Sequence, residues 1–238
     1  MILLVEQNKV YKGKNMKLLV DDANIEVIKK MYEFYPVDGV TTNPSILYKT
    51  GKDPIEVIKE IREFIHDDLL FVQAVPLDAK GMIEDAKRII EIAGKDTIVK
   101  IPSTKEGFKA IKALKQEGIK TCGTVVYTAM QGYLAAKAGA SYVAPYVNRI
   151  DNMGYDGVAV AKQIHDILTK QNLDCMVLAA SFKNSQQVLD LCQYGIGSAT
   201  ASGDVIEGFV KNAAIDSAAD AFVNDFVKLT NKHSMCEL

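Results

Sequence analysis

The chain has no tryptophan, only three histidines and only four cysteines, and these scarcities exclude whole classes of chemistry. His66, His165 and His233 lie far apart in sequence. Metal-dependent aldol or hydrolytic chemistry normally gathers imidazole ligands in a cluster, so a metal enzyme is disfavoured and no metal or cofactor is expected. Cys122, Cys175, Cys192 and Cys236 form no C-x-x-C pair. Neither a zinc site nor a disulfide frame is therefore expected, and the cysteines read as reduced thiols of a cytoplasmic protein. The formal net charge is only −2 and the pI is near 6.0, which leaves no field to gather nucleic acid or an anionic membrane. No apolar run approaches the length of a bilayer span, and Met1–Val5 is too short for the apolar core of a signal peptide.

What the sequence does have is apolar content, 48% over 238 residues, enough to bury one large core. Residues 1–15 are polar after Val5 and read as an N-terminal extension, with the body of the protein at 16–238. From there β-prone runs alternate with helical ones. The strands expected are Lys17–Asp21, Val37–Thr42, Leu69–Val75, Thr97–Ile101, Thr121–Val126, Tyr142–Tyr146, Met176–Ala180 and Gly197–Thr200. Helices fill the intervals, one of them opened by Asp53 as cap and Pro54 as first residue, another closed by Gly118. Strands that are apolar throughout imply a parallel sheet covered on both faces. Eight such units, with no Gly-rich dinucleotide fingerprint after the first, predict a single (β/α)8 TIM barrel in the α/β class. A further stretch from 213 to 231 carries Ile215, Ala219, Phe222, Phe226 and Leu229 on one stripe. It is an extra C-terminal helix, either an oligomer contact or a segment folded back on its own barrel.

The run Thr97–Pro102 holds a lysine inside a strand. Side chains alternate along a strand, so Ile98, Lys100 and Pro102 share a face. Burial lowers the proton affinity of an ammonium, and an amine without its proton is a nucleophile toward carbonyl carbon. Barrel chemistry belongs to the C-terminal strand ends. Those ends read Asp21, Thr41 to Ser45, Gln73, Lys100, Thr124, Tyr146 to Arg149 and Ser181, all of them polar. Singly, each has an ordinary structural explanation: helix capping for Asp21, turn chemistry for Thr41 to Ser45, a surface pair for Arg149 and Asp151. A ring of polar residues around one lysine is harder to assign to packing, because buried polar groups need partners.

Four ordered blocks carry a resemblance: Val40-Thr41-Thr42-Asn43-Pro44-Ser45, Val99-Lys100-Ile101-Pro102, Ala144 to Asp151, and Ala179-Ala180-Ser181-Phe182-Lys183. They resemble the signature blocks of the small transaldolase family, from Met16 to about Asn231, and within it the branch of fructose-6-phosphate aldolases. Members of the transaldolase branch usually carry glutamate where this chain has Gln73 and phenylalanine where it has Tyr146. The stretch Thr200-Ala201-Ser202-Gly203 departs from the more apolar, proline-containing turn of relatives, which puts the rim at the phosphate end in question.

The resemblance implies a Schiff base on Lys100, as in class I aldolases, acting on a sugar phosphate without metal or cofactor. It implies proton transfer by Tyr146 with a water held by Gln73 and Thr124. Asp21, Asn43 and Thr41 would hold the three-carbon donor, and Arg149 and Ser181 the phosphate, with Lys183 a weaker second cation. The reaction expected is cleavage or formation of fructose 6-phosphate from dihydroxyacetone and glyceraldehyde 3-phosphate, with three-carbon transfer between sugar phosphates as the alternative. A catalytically idle sugar-phosphate sensor would be expected to lack the lysine or the ring. A deoxyribose-phosphate type of aldolase would usually carry a second lysine beside the nucleophile, and no other lysine ends a strand. Relatives form rings of five, often doubled to ten, so a homo-oligomer, pentamer or decamer, is expected here.

Overall fold

A computed structural model describes residues 15–238. The N-terminal extension expected at 1–15 lies, but for its last residue, outside the described residues. Eight strands are formed: β1 Lys17–Asp21, β2 Gly39–Thr41, β3 Leu69–Gln73, β4 Ile98–Pro102, β5 Thr121–Val126, β6 Tyr142–Pro145, β7 Met176–Ala179 and β8 Ser198–Ala201. Every neighbouring pair is parallel, and β8 closes on β1 with Thr200 opposite Leu19, so the sheet is a closed barrel. The expected TIM barrel is the observed fold.

Helices follow the strands. They are α1 Ile25–Phe34, α2 Pro44–Lys49, α3 Pro54–Ile65, α4 Ala79–Ala93, α5 Lys105–Gln116, α6 Ala129–Ala138, α7 Val147–Asp151, α8 Gly157–Lys170, α9 Ser185–Tyr194, α10 Gly203–Glu207 and α11 Ala213–Thr230. Their starts are written in side-chain chemistry. Asn24, Asp53, Asp78, Thr104, Thr128, Asp156 and Asn184 each accept a hydrogen bond from a backbone N–H of the first turn they cap. No helix among the described residues is long and apolar enough to cross a membrane.

Side-chain alternation divides the core in two. Val20, Val40, Leu70, Val72, Val99, Ile101, Val143 and Val177 face outward, into the layer between sheet and helices. Leu19, Phe71, Ile98, Cys122, Ala144 and Leu178 face inward and form an apolar floor inside the barrel. Two residues further along those strands come Asp21, Gln73, Lys100, Thr124, Tyr146 and Ala180. The period of a strand thus lifts one inward layer, mostly polar, directly above an apolar one.

Three differences from the sequence expectation concern strand ends. The third strand stops at Gln73 rather than Val75, and Val75 is exposed. The sixth ends at Pro145, and Tyr146 continues it only as an isolated bridge to Ala180. Short helices α2, α7 and α10 start immediately beyond β2, β6 and β8, and sequence reading had not separated them from the strand mouths. The signal for α2 was present, since Asn43 caps it and Pro44 occupies its first position. The C-terminal helix α11 has no buried residue, so it is not folded back into its own barrel.

Candidate active site

Lys100 stands on β4 with Gln73 of β3 and Cys122 of β5 as its register partners. Only 4% of it is exposed, unusual for a residue that ordinarily keeps its charged head in water. Its Nζ donates a hydrogen bond to the Thr42 carbonyl oxygen at 2.9 Å. The remaining capacity of the amine faces a cavity of about 450 Å³, within the range of small-molecule pockets (about 300–1,000 Å³). Asp21, Asn43, Tyr146, Arg149 and Ser181 line the same cavity.

Asp21 ends β1 beside Thr41, which ends β2. The Thr41 hydroxyl donates to the Asp21 carboxylate at 2.6 Å, and the Thr200 hydroxyl lies 2.6 Å from that of Thr41. Burial pushes the Asp21 pKa above the usual carboxylate range, against the opposing pull of Lys100 and of the Thr41 hydrogen bond. Helix capping is not its role, because Asp22 accepts from the backbone N–H groups of Ala23 and Asn24 and Asn24 caps α1. Asn43 spends its amide oxygen on the Ile46 N–H at 3.1 Å, which fixes the side chain and leaves its N–H donors at the cavity.

On the opposite wall the Thr124 and Tyr146 hydroxyls are 2.9 Å apart. The backbone between them is irregular. The β5–β6 register shifts between Gly123 and Val126, and Val125 has φ of 59°, a region that β-branched residues rarely adopt. Tyr146 packs edge to face on Tyr127, with centroids 5.8 Å apart. The Arg149 guanidinium lies over the Tyr146 ring, 4.7 Å from its centroid. Arg149 is not paired with Asp151, whose carboxylate accepts instead from Gly157 N–H at 2.7 Å and Gln187 Nε2 at 2.6 Å. Ser181 also sits in the left-handed region, at φ 61°, where its carbonyl accepts from Asn148 N–H at 2.7 Å. Its backbone thereby ties the end of β7 to α7, the helix that carries Arg149.

Most residues singled out from sequence therefore converge. Thr41 and Thr124 stand just behind the cavity wall, fully buried and bonded to Asp21 and Tyr146. Gln73, half-buried, is the register neighbour of Lys100 and does not line the cavity itself. Lys183 is exposed and does not line the cavity; its backbone N–H donates to Gln187 Oε1 as α9 begins. Within the Thr200–Gly203 stretch, Thr200 lies inside the barrel against Thr41, at the Asp21 end, and Ser202 lines the cavity that Arg149 and Ser181 also line. The sequence signal for Thr200 was there: two residues beyond Ser198, it has inward parity on β8.

Such a site offers a buried amine, a carboxylate and amide donors on one side, a phenol on the other and a guanidinium at the rim. That set suits an anionic polyhydroxylated carbonyl compound. Among solved structures, the chain is similar to one described as native KDPGal, with 14% identity, a TM-score of 0.53, and coverage of 79% of this chain and 82% of that one. It is also similar to the Arg289Lys mutant of flavocytochrome b2, with 15% identity, a TM-score of 0.57, and coverage of 79% and 56%. At these identities the likeness is one of fold. A family model, transaldolase/fructose-6-phosphate aldolase, matches residues 18–237. With the barrel, the buried lysine and that match across nearly the whole body, the chain belongs to the transaldolase/fructose-6-phosphate aldolase family.

Proposed function

We propose that the protein is a class I aldolase that cleaves and forms fructose 6-phosphate through a Schiff base on Lys100. The observation that carries this reading is the burial of Lys100 at the mouth of β4, facing a cavity shared with Asp21, Asn43, Tyr146 and Arg149. The Lys100 amine adds to the ketone carbon, and loss of water from the carbinolamine leaves an iminium. Asp21, whose proton affinity burial has raised, is placed to take up and return the protons of these steps. The iminium withdraws the electron pair of the neighbouring carbon–carbon bond as the hydroxyl on the far carbon loses its proton. Glyceraldehyde 3-phosphate leaves, and an enamine of dihydroxyacetone remains on the lysine. Protonation of the enamine carbon and hydrolysis free the ketone and the lysine.

Tyr146, bonded to Thr124, is the proton carrier on the acceptor side, together with a water positioned by Gln73 and Thr124 in this reading. Asn43 and Asp21 hold the hydroxyls of the three-carbon donor, and Thr41 orients Asp21. Arg149 and Ser181 take the phosphate, the guanidinium supplying paired charge-assisted hydrogen bonds. Gln73 with Tyr146 favours release over transfer. A glutamate at position 73 would activate water as a base, and an amide cannot take up the proton.

The deciding experiment compares dihydroxyacetone release from fructose 6-phosphate with transfer of the three-carbon unit to erythrose 4-phosphate. Predominant release is expected; predominant transfer would make the protein a transaldolase. We also propose that the protein works as a cytoplasmic homo-oligomer, a pentamer or decamer, held by α11, whose Ile215, Phe222, Val223 and Leu229 are exposed.

A further inference from the structure

Thr200 has no place in the expected catalytic set, yet it is 1% exposed and its hydroxyl is 2.6 Å from that of Thr41. The direction of the hydrogen bonds follows from proton counting. When Asp21 is ionised it can only accept, so Thr41 gives its single hydroxyl proton to the carboxylate at 2.6 Å. The Thr41 oxygen is then the acceptor, and Thr200 must be the donor. Strand pairing fixes all three residues. Asp21 is opposite Thr41, and Thr200 opposite Leu19, one inward step below Asp21.

From this geometry we infer that Thr200 is a positioning residue of the reaction, which, through Thr41, orients and holds the ionised form of the Asp21 carboxylate. The inference rests on the aldolase reading, from which Asp21 takes its role. A donor chain aimed at a charged acceptor polarises along its length, so the far hydroxyl strengthens the near bond. Burial works in the opposite direction on Asp21. Other charges facing it are Lys100 on β4 and Arg149 on α7, both favouring the ionised form, and neighbouring Asp22, opposing it. Thr200 is the one member of this set that reaches Asp21 only through another side chain.

The test compares T200V, which keeps the shape and loses the donor, with T200S, which keeps the donor. T200V is expected to lose about tenfold in kcat, the worth of one neutral hydrogen bond, with KM little changed. The acid limb of its pH–rate profile should move to higher pH, because a carboxylate deprived of donors ionises later. T200S should stay within about twofold of the wild type, with the wild-type limb, because its donor survives. T200A, smaller and equally without a donor, gives the same reading should T200V not fold. Titration of the 13C-labelled aspartate carboxyls in the wild type and T200V reports the Asp21 shift whether or not the protein turns over. An Asp21 titration unchanged in T200V, or a T200S defect as large as that of T200V, would overturn the inference. A wild type that forms no adduct with dihydroxyacetone while Asp21 still shifts in T200V would instead overturn the aldolase reading alone.

Discussion

Asp21 shows at the scale of a single residue how function and stability pull apart. Its carboxyl is half-buried on the cavity wall, and desolvation there outweighs the favourable charge of Lys100 and the Thr41 hydrogen bond, so its pKa is raised. A raised folded-state pKa means the folded protein binds the proton more tightly than the unfolded chain. The stability this group contributes is complete at pH below the unfolded-state value and is lost as pH rises through the folded-state one. Above the unfolded-state value, ionisation of this group therefore weighs against folding. D21N, neutral at every pH, should melt higher than the wild type at pH 7, with the difference shrinking as pH is lowered toward about 4. The same variant should lose on the order of 10²-fold in turnover, as removal of an acid–base group does. A lower melting temperature for D21N at pH 7 would show that the carboxylate is net stabilising. Tyr146 and Ser181 belong to the same pattern, since each sits where the backbone leaves regular structure to aim a side chain.

At the scale of elements, the site depends on how closely each helix approaches the strand before it. Gly107 lies in the first turn of α5, and a Cβ there would stand 1.8 Å from the Pro102 carbonyl oxygen at the end of β4. The helix can return so close to the lysine strand only because that atom is missing. G107A should cost about 1–3 kcal/mol of stability as an overpacked contact, read as a lowered midpoint in urea. An unchanged midpoint would mean that α5 shifts without strain. Elements of this kind were largely legible in the sequence. Asp53 and Pro54, Thr104 and Gly118 marked helix ends, and continuous apolar runs marked strands buried on both faces. Inward parity was legible too, which is why Lys100 and the residues level with it could be picked out together. Less legible was what lies just past a strand end. Whether Tyr146 continues β6 or caps α7 is decided by a hydrogen bond from its N–H to Val126 and one from Val147 N–H to Ala180, both from distant segments. The place of Thr200 is hard to read from sequence for a similar reason. Its partner Thr41 is remote in sequence, and only barrel closure between β8 and β1 makes them neighbours. Lys183 lies two residues beyond the cavity residue Ser181, on the exposed turn that leads into α9.

At the scale of the molecule, the described residues leave an apolar face uncovered. Helix α11 buries none of its residues, and Phe222 and Leu229 are 75% and 84% exposed. An apolar stripe of this kind is usually covered by another surface, and in our reading that surface is a neighbouring copy. Removing the residues after about Asp216 should therefore give monomers or aggregates in sedimentation, and an unchanged profile would remove α11 from the assembly. The barrel closes on itself, so the catalytic groups of this reading all come from one chain: Lys100, Asp21, Asn43, Tyr146 and Arg149 line one cavity. That makes the chemistry testable on the intact protein without knowledge of its assembly. The most direct measurement is borohydride reduction in the presence of dihydroxyacetone, followed by peptide mass analysis of the wild type and K100A. The account predicts a reduced three-carbon adduct on the peptide carrying Lys100, and neither adduct nor turnover in K100A. An unmodified wild-type protein, an adduct on a different lysine, or full turnover by K100A would contradict it.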